Sequence, residues 1–154
     1  MNIKRLTTII ALAASMLIGG QVVAESSTGN ASVMILDTLT FNEVSIVDFG
    51  VIPTANGTCT MASNGSLSGQ CAGRPNGTLG DFLVAGTPNQ SISVSVRKGK
   101  KVGGVTFLPA LDTPATTTLD NSGNATVNVR GELDLNNATL GSKALTYTLT
   151  VNFQ

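Results

Sequence analysis

The last twelve residues of the chain, K-A-L-T-Y-T-L-T-V-N-F-Q from Lys143 to Gln154, constrain the fold more than any other stretch. Leu145, Tyr147, Leu149, Val151 and Phe153 share one parity, and Thr146, Thr148, Thr150 and Asn152 share the other. A period of two sustained from 145 to 153, with aromatic and β-branched types throughout, specifies a half-buried β-strand. Burying each Leu, Val or Phe of its apolar side is worth about 1.5–3 kcal/mol, so this face requires a second layer opposite it.

The same pattern recurs upstream. Ala31–Phe41 carries Val33, Ile35, Leu39 and Phe41 on one parity, with Asp37 interrupting, which predicts an edge, a bulge or a switch between sheets. Val44–Ile52 reads as a strand containing Gly50, a position for a bulge or a close backbone approach. Asp81–Gly86, Ser91–Arg97 with Ile92, Val94 and Val96, and Val102–Leu111 follow as strands. Then comes a long alternation, Ala125, Val127, Val129, Gly131, Leu133 and Leu135. Gly, Pro and Asn punctuate these runs, and Ala72–Gly80 and Thr113–Thr118 read as connections. Beyond residue 24 no stretch of helix length shows a 3.6-residue apolar period. The expectation is an all-β antiparallel sandwich, immunoglobulin-like or jelly-roll, its topology left open by the absence of any Trp or tyrosine-corner pattern.

Residues 1–24 read as a secretory signal: Lys4 and Arg5, an apolar run from Thr8 to Gly19, and the small residues of Val22-Val23-Ala24 before the cleavage point. Gly19-Gly20-Gln21 interrupts the run short of the ~20 apolar residues of a spanning helix. The remainder, 25–154, has the length of one sandwich domain. Removing Lys4 and Arg5 leaves 7 basic against 9 acidic residues, 7 − 9 = −2, which argues against a nucleic-acid partner. In an exported chain Cys59 and Cys71, the two cysteines present, are expected to form a disulfide that staples a hairpin around a type I′ turn at Asn64-Gly65.

Nothing in the chain points to catalysis, a cofactor or a metal. There is no His to serve as base or ligand, and two thiols alone do not complete a zinc site. Asp37, Asp48, Asp81, Asp112, Asp120, Glu132 and Asp134 fall mostly beside turns or on outward parity, a poor basis for a paired-carboxylate site. Asp120-Asn121-Ser122-Gly123-Asn124 has the spaced oxygens of a calcium loop without its bidentate Glu, and reads as a turn. Arg97, Lys98, Lys100 and Lys101 cluster around Gly99. They read as a solvated hairpin tip, with a patch for anionic glycans or partners as the alternative. The chain is expected not to be an enzyme.

Four stretches carry a resemblance: V-D-F-G-V-I, D-F-L-V-A-G-T-P-N-Q-S-I-S-V, V-N-V-R-G-E-L-D-L and L-T-Y-T-L-T-V-N-F. Across most of Ser32–Phe153 the chain resembles a secreted bacterial domain family of unknown function, itself similar to chaperone–usher pilins and spore-coat-U-like subunits. The resemblance implies a pilin-like, incomplete immunoglobulin-like sandwich completed by a strand from a neighbouring subunit. It implies a route through the inner membrane to the periplasm and cell surface, with a periplasmic chaperone and an outer-membrane usher as partners. It assigns assembly and chaperone recognition to the strand bearing Leu145, Tyr147, Leu149, Val151 and Phe153. A pilin-type donor extension is usually longer than Glu25–Asn30, so either Ala31–Phe41 is donated or the domain is self-complete, a secreted or coat module that does not polymerise.

Overall fold

A computed structural model describes residues 32–33, 35, 38–71 and 75–154. The leader read at 1–24, the polar lead 25–30, Asp37 and residues 72–74 lie outside the described residues. Among the described residues there is no helix, and so none long and apolar enough to cross a membrane. Residues 34–154 form one compact unit.

The architecture is built on β8 (Asn124–Leu135), the long alternation of the sequence. Val127, Val129, Leu133 and Leu135 turn inward and are buried. Between them stands Gly131, where a Cβ would strike the Leu108 carbonyl and crowd the Phe107 ring at 2.7 Å. At twelve residues, β8 is long enough to serve three neighbours. Along one edge it pairs with β4 (Gly80–Ala85) over Asn124–Val129 and with β2 (Gly57–Met61) over Glu132–Leu135. Along the other it pairs with β6 (Val105–Leu111) over Val129–Leu135. β1 (Thr40–Ser45) continues the sheet beyond β4, and β3 (Leu67–Gly69) beyond β2. After Leu111 the chain crosses through Pro114 to the second sheet, which orders β7 (Thr116–Thr118), β5 (Ser91–Lys98) and β9 (Tyr147–Phe153). All pairings are antiparallel, and the two sheets face each other as a sandwich.

The core has two halves. One gathers Phe49, Met61, Phe107, Leu133 and Leu135 with the Cys59 and Cys71 sulfurs; the other gathers Phe82, Val84, Ile92, Leu119, Val127 and Val129. Val47 and Tyr147 pack against both and join them.

Several sequence expectations change. The expected strand at 31–41 overlaps an observed one only from Thr40, and the strand continues to Ser45; Ser32, Val33, Ile35, Thr38 and Leu39 are outside any strand. The expected strand at 44–52 ends at Ser45. Beyond it only an isolated bridge, Asp48 to Thr78, forms, because Asp48 Oδ1 accepts the Gly50 N–H at 2.7 Å and Gly50 turns to φ 68°. The Cys59–Cys71 disulfide is present. Its hairpin does not use a type I′ turn: Ala62 pairs with Ser66 across a three-residue loop in which Gly65 (φ 78°), and not Asn64, takes the left-handed conformation. β2 itself packs into the core: Cys59 and Met61 are fully buried on a strand paired with β3 and β8. The last strand starts at Tyr147, leaving Leu145 outside it but against the first core half.

With Cys59 and Cys71 closing a short loop across the sheet margin, the Cys59→Ser/Cys71→Ser variant is expected to lose about 3 kcal/mol of unfolding free energy in denaturant titration. A loss below about 1 kcal/mol would show that the ladder around β2 holds without it.

Candidate functional site

β9 is paired on one side only. It follows β5 in unbroken register from Phe153 opposite Ile92 to Tyr147 opposite Lys98. Among the described residues no strand pairs with its other edge. The Gln154 N–H donates to the Ser91 carbonyl, which fixes the hydrogen-bonded pairs as 148, 150, 152 and 154. The backbone N–H and C=O groups of Tyr147, Leu149, Val151 and Phe153 therefore point to the free edge.

Beside the start of that edge, at Tyr147–Leu149, opens a groove of about 1060 Å³. One wall is the segment 46–54 that leaves β1; the other is the connection 138–146 and the start of β9. Its floor is core: Phe82, Val105, Phe107, Leu133, Leu135 and Tyr147. The rings line up edge to face along it, Phe41 on Phe82 at 6.4 Å, Phe82 on Tyr147 at 6.3 Å, Tyr147 on Phe107 at 5.4 Å and Phe107 on Phe49 at 5.9 Å. The rim is apolar too, with Phe41 52%, Ile46 66%, Val51 71% and Leu140 87% exposed. The apolar floor and rim together make a contiguous apolar surface larger than the scattered exposed side chains of an ordinary monomer surface.

The five residues assigned to the terminal strand are all half-buried and face inward. Leu145 and Tyr147 pack on the first core half, and Tyr147, Leu149, Val151 and Phe153 on the second. Their side chains pack in the sandwich, and β9 leaves its backbone edge open, with the groove beside its start. Reading strand by strand missed the other wall. Ile46, Val47, Phe49, Val51 and Ile52 are apolar on both parities, the pattern of a segment with core on one side and an apolar groove on the other. It missed Glu43 as well, which sits opposite Phe82 at the groove's margin.

Burial pushes the Tyr147 hydroxyl up to about 12, with the nearby Glu43 carboxylate adding to the shift. That oxygen has no hydrogen-bond partner among the described residues. Below about pH 10 the folded and unfolded chains both hold the proton; between pH 10 and 12 the unfolded chain releases it first, and stability falls. Tyr147 is the sole tyrosine, so absorbance titration reads it directly. The expected midpoint is near 12 in the folded protein and near 10 in denaturant. Tyr147→Phe is expected to flatten the stability loss across that window, and a folded-state midpoint near 10 would contradict the buried hydroxyl.

Among the described residues no group of three or more His, Cys, Asp or Glu side chains could hold a metal ion. Comparisons with protein-family models, curated proteins and solved structures find no match to this chain.

Proposed function

We propose that this chain is a structural subunit of a bacterial surface fibre, exported through the inner membrane and polymerised by strand donation. The observation that carries the reading is the free edge of β9, with an apolar groove floored by core aromatics beside its start. An extended segment laid there would pair its backbone with Tyr147, Leu149, Val151 and Phe153 and bury alternate side chains on the ring floor, which is strand addition. A second copy has such a segment. Leu39 packs in its own core and Thr40 begins its own β1, so a donated segment would lie before Thr38. Residues 31–37 carry Val33 and Ile35 on one parity, and seven extended residues at about 3.4 Å each would reach about 24 Å, the length of the seven-residue β9. A periplasmic chaperone would hold the same groove before assembly, and an outer-membrane usher would exchange the chaperone for the incoming segment.

Gel filtration and negative-stain microscopy of the exported chain test the reading. Polymers, or a soluble complex with a periplasmic protein, are expected; a stable monomer with a cooperative melt and no partner would favour the self-contained secreted or coat domain. In the same co-purification, Val51→Lys on the groove rim is expected to reduce recovery of the partner and Thr150→Ser, on the outward parity of β9, to leave it unchanged. Equal recovery with Val51→Lys would count against the fibre subunit.

A further inference from the structure

We propose that the β5–β6 tip, together with the outward face of the β7-β5-β9 sheet, is a binding surface for a polyanionic polysaccharide, separate from the groove. Four of the seven Lys and Arg that follow residue 24 lie between 97 and 101, and Arg97, Lys98, Lys100 and Lys101 are all exposed. Among the described residues the ion pair that forms is Arg130 with Asp112 at 3.0 Å, and none of the four tip cations has a carboxylate partner. Their field is therefore unspent, although the chain as a whole is not basic.

The tip is also held. A Cβ at Gly99 would strike the Thr146 carbonyl, and one at Gly104 the Asn137 carbonyl. The Asn136 N–H donates to the Gly104 carbonyl at 2.9 Å and the Thr139 N–H to the Gly103 carbonyl at 3.0 Å. A backbone fixed in this way lowers the ordering cost of presenting several cations to one ligand.

Next to the cations the sheet offers hydroxyls. Arg97 stands opposite Thr148, Ser95 opposite Thr150, and Ser93 opposite Asn152 and Thr116, all on outward parity. Rows about 6.8 Å apart along each strand and about 4.8 Å apart between strands give a flat lattice of groups that both donate and accept. The six aromatic rings all belong to the core or the groove, so this face has no platform for stacking bases and no wedge for a bilayer. Cations flanked by hydroxyls fit a sulfated or carboxylated glycan, with the Arg97 fork suited to the planar or tetrahedral anion.

The test is binding of the full chain to immobilised heparin as the sulfated probe, with dextran as the neutral control. Wild type is expected to be retained on heparin, released by salt, and not retained on dextran. Lys100→Gln/Lys101→Gln is expected to weaken heparin binding about tenfold or more. Ser95→Ala/Thr148→Val is expected to weaken it several-fold while leaving any binding to duplex DNA unchanged. Both variants alter exposed side chains, and an unchanged melting temperature establishes that they fold. Equal retention of the lysine variant, or binding of duplex DNA or phosphatidylglycerol vesicles as tight as heparin per charge, would overturn the proposal.

Discussion

Tyr147→Ala is expected to lower the unfolding free energy by about 3 kcal/mol, the lower end of the range for deleting a buried aromatic ring because this one is half-buried. The size follows from its position. Tyr147 packs on both core halves and makes edge contacts with Phe82 and Phe107, each such pair adding about 0.5–1.5 kcal/mol beyond area burial. Among the described residues Val47 would then be left to join the halves, so the unfolding transition should broaden as well as shift. Thr148→Ala, one residue along and facing outward, should change stability by no more than about 0.5 kcal/mol. A loss below about 1 kcal/mol for Tyr147→Ala would mean that the halves are joined elsewhere.

The second large effect is on association. Ile46→Lys/Val51→Lys places two charges on the apolar rim at residues 66% and 71% exposed, where a monomer tolerates them within about 0.5 kcal/mol each. A strand seated in the groove would bury those ammonium groups without partners, at a cost of several kcal/mol. Self-association or chaperone capture, read by light scattering and co-purification, should therefore weaken by about 100-fold or more while the melt is preserved. Unchanged assembly would remove the groove from the interface.

What the sequence revealed and what it hid divide along local and long-range physics. The strands at 91–98, 124–135 and 147–153 were legible because each alternates cleanly over a half-buried surface, and parity alone identified Ile92, Val94, Val127, Val129, Leu133 and Leu135 as core. Near the start of the described chain the pattern is apolar on both parities. There Thr40–Ser45 was divided between two expected strands, and the segment after it was given a ladder that the Asp48–Gly50 turn prevents. The Asn64-Gly65 pair pointed to a two-residue loop, but the pairing of Ala62 with Ser66 set a three-residue one. The candidate site was half legible. The terminal strand was evident, whereas its free edge follows from which strands β8 recruits and where β6 leaves for the second sheet, contacts far apart in sequence.

Amide hydrogen exchange along β9 tests the open sandwich most directly. In the isolated monomer the N–H groups of Tyr147, Leu149, Val151 and Phe153 should exchange quickly, while those of Thr148, Thr150 and Asn152, bonded to β5, are protected. In the polymer or the chaperone complex the first set should become protected as well. Protection of all seven amides to the same degree in a chaperone-free monomer would contradict the account, since it would mean that the edge of β9 is already satisfied within one chain.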